Sequence, residues 1–291
     1  MKDFSHWKEY EGASEGSGRS EKQWLINPDT GQTGLFKYKK DVGTTDHVSE
    51  CIASDLANLI GIPCAKFEIG MFHGREGSIS YNIVEHDGMM LIEGIYCISI
   101  LHNDFDVEKL IDTKSGERYS LEMIKEALNL FGLFEDFLPI PIFDFLIGNT
   151  DRHQSNWALI MKGEKLRLSP LYDNSSSLCA YVEESKIERY FGNDQLLWKS
   201  LVDSKSRSLI RINSSDRKLP THVEVLKFLQ KNYYKQTENI VNRIGAFVTS
   251  DKICDILDKY NEVLSEKRKL LIKKYLLSKI EIMQEIYWGK E

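Results

Sequence analysis

The sequence predicts an α+β protein in two lobes: a small antiparallel sheet with one helix, then a larger, mainly helical part. Three observations lead there. Up to about residue 100, short apolar runs alternate with turn residues around one amphipathic stretch, and from Ser120 the apolar spacing turns helical. At 291 residues the chain is long for one core and suits two modest ones. Finally, Phe143–Leu178 breaks the helical half with a polar loop and a hairpin, and sets Asp151, Asn156 and Asp173 in loops at the ends of regular elements. A rigid scaffold can hold polar groups toward a cleft from such places.

The elements follow in order. Residues 11–22 form a Gly/Ser-rich loop ending in lysine, ahead of a strand at Trp24–Ile26, an Asn-Pro-Asp-Thr-Gly turn and a second strand at Gly34–Lys39. Side chains alternate along a strand, so Lys37 points opposite to Phe36 and Tyr38. Thr44, Thr45 and Asp46 offer N-caps for a helix that runs to Ile60 and stops at Gly61. Val48, Ile52, Leu56 and Leu59 make its apolar stripe, with Glu50 on the other side beside Ala53 and Ala57. Three further strands, Ala65–Phe72, Ser78–Val84 and Met89–Tyr96, complete the small sheet, and the charged stretch Leu101–Arg118 divides lobes at 1–105 and 106–291. Leu121–Phe131 and Leu133–Ile147 are apolar helical segments, the second kinked by Pro139 and Pro141. Gly148 and Asn149 end it. Trp157–Met161 and Leu166–Leu168, joined by Lys-Gly-Glu-Lys, read as a hairpin. Residues 174–219 show little periodicity, whereas 222–247 and 251–287 are amphipathic helical stretches. The basic runs Lys267-Arg268-Lys269 and Lys273-Lys274 read as a solvated face.

Composition narrows the class. Hydrophobic content of 42% and charge of 28% describe an ordinary globular protein. A net charge of −6 with no basic stripe argues against direct nucleic-acid binding. The five cysteines are widely spaced without a C-x-x-C pair, which argues against a zinc or disulfide framework and for a reducing compartment. The N-terminus has no apolar signal core and no segment reaches membrane-spanning length, so the expectation is a cytoplasmic protein with no membrane partner. His73, His86 and His102 stand alone and receive no site.

Phosphoryl transfer needs a carboxylate to accept the proton of the attacking hydroxyl, and oxygen ligands to hold magnesium against nucleotide phosphates. Asp151 and Asn156 have the D-x-x-x-x-N spacing of a protein-kinase catalytic loop, and Asp173 lies downstream where a second metal ligand is needed. Glycines let backbone N–H groups approach phosphates, and Lys37 adds a point charge. Each feature alone has a plainer reading: a polar loop, a linker, an edge-strand charge, a solvent-facing glutamate at Glu50. Their order along one chain favours the chemical one.

The segment NTDRHQSNWAL, followed by PLYDNSSSL, resembles the HipA-type serine/threonine kinases of bacterial toxin–antitoxin systems. It looks most like the compact, stand-alone, HipT-like members that lack the extra N-terminal subdomain. The resemblance implies a bilobal protein-kinase-like fold with ATP and Mg as cofactors. It implies Gly16, Ser17, Gly18, Arg19 and Lys22 as the nucleotide loop, Lys37 as the phosphate-contacting lysine and Glu50 as its helix partner. Asp151 is then the catalytic base, Asn156 and Asp173 the metal ligands, and Arg152 and His153 supporting residues of the loop. Ser14, Ser17 and Ser20 are candidate autophosphorylation sites, where a phosphate would set about −1.5 to −2 charge against the ATP phosphates. The resemblance also implies a protein substrate with a Ser/Thr acceptor, such as an aminoacyl-tRNA synthetase or another translation component. It further implies an antitoxin on a separate chain, whose docking the missing subdomain leaves open. A small-molecule or lipid kinase on the same fold and a nucleotide-binding pseudokinase are the alternatives.

Overall fold

The structure, a computed structural model, describes residues 1–11, 21–40, 43–84 and 88–289. Strands β1 (Lys2–Asp3), β2 (Lys8–Glu9), β3 (Lys22–Ile26), β4 (Thr33–Tyr38), β5 (Phe67–Phe72) and β6 (Arg75–Tyr81) make a six-stranded sheet in the order β1-β5-β6-β4-β3-β2. Its pairings are antiparallel except for β1 beside β5. One face carries an aromatic cluster of Phe4, Trp7, Leu25, Phe36, Phe72, Ile79 and Tyr81. Phe36 is completely buried there, so pleat alternation turns Lys37 to the other face.

Helix α1 (Asp46–Ile60) crosses that second face and ends at Gly61, whose φ of 65° is the left-handed stop expected of a glycine. Its apolar residues merge with the core of the helical lobe rather than with the aromatic cluster. Glu50 is buried, not solvent-facing.

The last predicted strand of the small sheet goes elsewhere. β7 (Met89–Glu93) is shorter than the expected Met89–Tyr96, because the chain turns into α2 (Gly94–Ser99). Beyond the short pair β8 (Phe105–Asp106) and β9 (Ile111–Asp112) lies the hairpin β10 (Ala158–Lys162) and β11 (Lys165–Leu168). β7 pairs with β10, giving a three-stranded sheet β11-β10-β7 in place of a seventh strand on the first sheet. Gly94 explains the turn: its N–H donates to the Trp157 carbonyl at 2.9 Å, and a Cβ there would stand 2.2 Å from the Trp157 indole. Only a glycine passes that close.

The helical lobe comprises α3 (Leu121–Asn129), α4 (Phe134–Phe137), α5 (Pro139–Ile147), α6 (Gln195–Lys199), α7 (His222–Phe247), α8 (Ser250–Asp258) and α9 (Glu266–Trp288). Pro139 starts a helix instead of kinking one, since its missing N–H costs nothing in the first turn. The stretch 251–287 is two helices, with Ser265 capping the second. The segment 174–219 contains a 3₁₀ helix at Glu184–Phe191 and α6.

The basic run on α9 is not a solvated face. Arg268 is 1% exposed and donates to the carbonyls of Cys179 and Val182 and to Glu184. Leu178 and Cys179 have φ of 51° and 60°, a reversal that turns these carbonyls inward, where a guanidinium satisfies them. Lys269 is likewise mostly buried, bonded to Asp258 and Glu266. Among the described residues no helix is long and apolar enough to cross a membrane.

Candidate active site

Four segments converge between the lobes: β4, α1, the loop after α5 and the turn after β11. α5 ends at Gly148, with φ of 67°, and a Cβ there would lie 2.0 Å from the Tyr275 hydroxyl. The chain then turns sharply into Asn149, whose Nδ2 donates to Asp144 Oδ1 at 3.0 Å and whose Oδ1 accepts from the Asp151 N–H at 3.1 Å.

Arg152 is the keystone of the loop, 1% exposed with all five of its N–H groups engaged. Nε and Nη2 make a forked pair with Asp144 at 3.0 and 2.7 Å. Nη1 donates to the carbonyls of Asn156 at 2.8 Å and Tyr172 at 2.9 Å, and Nη2 reaches Asn174 Oδ1 at 2.6 Å. One cation therefore ties the residue Asn156 to the residue just before Asp173. Asn156 Nδ2 donates to the Asp151 carbonyl at 2.7 Å, which leaves its Oδ1 as the half able to bind a cation. His153 folds back within the loop, its Nδ1 accepting from the Ser155 N–H at 3.2 Å.

Across the cleft, Lys37 Nζ lies 3.1 Å from Asp173 Oδ1 and 3.8 Å from Glu50 Oε1. Lys22 stands directly opposite Lys37 in the strand register, so the two amines share a face of the sheet. Asp173 has φ of 53°, a left-handed conformation that a non-glycine residue holds only at a cost of order 1–3 kcal/mol. Ser175 Oγ also donates to Asp173 Oδ1, at 3.2 Å.

The charges are strongly coupled. Burial pushes the Asp173 carboxyl up, but the Lys37 charge and hydrogen bond outweigh it and hold the pKa at about 2. Burial works to lower the Lys37 pKa, and Asp173 and Glu50 together raise it above the usual lysine value. Glu50 is pushed up to about 7, chiefly by burial, with Lys37 opposing. Its two carboxylate oxygens are buried without a hydrogen bond among the described residues. Asp151 is the exposed member, yet partial desolvation against the cleft wall raises its pKa, with His153 opposing and Asp173 adding.

The site thus gathers Lys37, Glu50, Asp151, Arg152, His153, Asn156 and Asp173, with Lys22 at the sheet edge of the cluster. Ser14, Gly16, Ser17, Gly18, Arg19 and Ser20 lie outside the described residues. Sequence reading missed Asp144, Asn149 and Asn174 as the frame of the loop. Asp144 had a signal: a lone carboxylate inside Phe-Asp-Phe-Leu-Ile is buried by its neighbours and must have a partner.

No group of three or more His, Cys, Asp or Glu side chains able to hold a metal occurs among the described residues. One carboxylate and one amide oxygen, from Asp173 and Asn156, fit the sparser set that magnesium uses when phosphates and water complete its shell.

A sheet lobe and a helical lobe with this lysine–glutamate–aspartate cluster facing a D-x-x-x-x-N loop define a protein-kinase-like fold. The chain belongs to the HipA-like C-terminal domain family, whose model matches residues 14–218. It is similar in structure to the Helicobacter pylori proinflammatory kinase CtkA, with a TM-score of 0.82 at 18% identity, covering 98% of this chain and 96% of that one. It is also similar to HipA of the Shewanella oneidensis MR-1 toxin–antitoxin system, solved with HipB and operator DNA. There the TM-score is 0.57 at 12% identity, over 95% of this chain and 66% of HipA. Both are likenesses of fold. No curated protein sequence matches this one at a significant level.

Proposed function

We propose that the chain is an ATP- and magnesium-dependent serine/threonine protein kinase of HipA type, acting in the cytoplasm as the toxin of a toxin–antitoxin system. The observation that carries this reading is Lys37 Nζ at 3.1 Å from Asp173, across from the Asp151–Asn156 loop. Asp151 accepts the proton of the incoming hydroxyl; partial desolvation raises its pKa, which makes it a better acceptor. Lys37 carries charge to the phosphates, aimed by the buried Glu50. Lys22 and the loop at Gly16, Ser17, Gly18 and Arg19 cover the nucleotide. Asn156 and Asp173 would hold magnesium, which would supply positive charge against the nucleotide phosphates. Arg152 holds the loop in register, and His153 folds back within it as a supporting residue.

The partners follow by extension. HipA of Shewanella oneidensis was solved with HipB, which supports an antitoxin on a separate chain here. The acceptor would be a protein serine or threonine, with a translation component such as an aminoacyl-tRNA synthetase as the first class to examine.

The test is transfer of label from γ-labelled ATP by wild type and Asp173→Asn, with phosphoproteomics of cells expressing each. Wild type should label protein serines or threonines, and Asp173→Asn should not. Equal labelling by both would refute the metal assignment, and labelling of small hydroxyl compounds alone would move the acceptor class. Prolonged incubation with ATP should phosphorylate Ser14, Ser17 or Ser20 and silence the enzyme.

A further inference from the structure

Three polar side chains that this mechanism leaves unused lie buried in a line beneath the loop. Lys279 on α9 is 0% exposed and makes no ion pair among the described residues. Its Nζ donates to Ser206 Oγ at 2.9 Å and lies 4.5 Å from the Phe145 ring centre. Ser206 Oγ is 2.9 Å from Nδ1 of His222, the first residue of α7. The ring's Nε2 is 2.8 Å from the backbone carbonyl oxygen of Asn149.

The direction of this chain follows from chemistry. A carbonyl oxygen only accepts, so Nε2 carries the proton and Nδ1 is the acceptor. Ser206 must then donate to His222 while it accepts from Lys279. Every donor points toward the catalytic loop. Burial, with the Lys279 charge adding to it, lowers the His222 pKa to about 3, so the ring keeps this neutral tautomer. Burial also lowers Lys279 to about 7, with Asp203 and Cys179 opposing.

A lysine buried with no carboxylate in ion-pair contact is costly, and an aliphatic side chain would fill the same volume. The far end of the line is a single carbonyl, two residues before Asp151, on the residue whose side chain already bonds the Asp151 N–H. The loop entrance is thus gripped from α5 through Asp144 and from α7 and α9 through His222.

We propose that His222, oriented by Ser206 and Lys279, is a positioning residue for phosphoryl transfer: its Nε2–H fixes the Asn149 carbonyl, and with it the backbone that presents Asp151 to the acceptor hydroxyl. This rests on the kinase reading above. Misplacement of a reacting group by about 1 Å costs about 10²-fold in rate.

Two variants of the full chain test it. His222→Phe keeps the ring volume and removes the donor. His222→Gln keeps an N–H donor near the Nε2 position. Transfer from ATP to dephosphorylated casein and hydrogen exchange of the 149–156 backbone amides are measured together. His222→Phe should lower kcat about 10²-fold with the KM for ATP within about 2-fold of wild type. It should also speed exchange at 149–156 without changing exchange in α9, and His222→Gln should recover most of both losses. Unchanged kcat in His222→Phe, or a loss that His222→Gln fails to recover, overturns the proposal. If wild type transfers phosphate to no acceptor at all (casein, cell protein, its own serines, small hydroxyl compounds or water), the kinase reading fails instead. The grip on the loop is then decided by exchange alone, faster in His222→Phe supporting it and unchanged refuting it.

Discussion

Arg152 has no spare donor, and that saturation sets what its loss would do. Removing the guanidinium strands the Asp144 carboxylate, 2% exposed, together with two carbonyls. Arg152→Met is expected to lose about 3–5 kcal/mol of stability, read from denaturant unfolding, with transfer activity falling alongside. Asp151→Asn should differ in kind: the fold is kept, and the transfer rate drops by about 10²–10⁴-fold in a single-turnover assay. The two acids that flank Lys37 run in opposite directions with pH. Asp173, held at about 2, contributes stability that is present above the ordinary carboxylate range and is lost as pH falls through about 2. For Glu50, raised from 4.5 to about 7, the unfolded chain releases a proton across that window while the folded one keeps it, so stability declines as pH rises through it. Glu50→Gln should therefore melt higher than wild type at about pH 8 and nearly level with it at about pH 4, while transferring phosphate more slowly.

At the scale of elements, the same glycine stop serves two helices with different tolerance. Both Gly61 and Gly148 are left-handed, so alanine at either is strained by roughly 1 kcal/mol. At Gly61 a Cβ meets only the Arg243 guanidinium end, which can swing away. At Gly148 it meets the hydroxyl of Tyr275, a residue 3% exposed and fixed on α9. Gly148→Ala should lower the melting temperature more than Gly61→Ala, and it alone should impair transfer. The helix and hairpin carrying Glu50 and Lys37 were legible in the sequence because caps, stops and alternation are local signals. The basic run on α9 was not, because what buries Arg268 is a pair of left-handed residues, Leu178 and Cys179, far back in the chain.

For the whole molecule, the division into a sheet lobe and a helical lobe was readable from the change of apolar period. The candidate set Asp151, Asn156 and Asp173 was also proposed from spacing alone, which is itself the signal. Most of the frame around them was hidden: Asn174, Ser206, His222 and Lys279 are commonplace residue types that meet the loop or one another only through long-range packing. The partner of β7 was hidden for the same reason, since strand periodicity says that a segment is extended but not whom it joins. During synthesis this strand leaves the ribosome well before β10 exists to receive it. Until then its unpaired edge is open to neighbouring chains, with Met90 still 56% exposed even in the finished protein. A charge at that outward position, Met90→Lys, is expected to raise the yield of unaggregated protein on rapid expression and leave the specific activity unchanged.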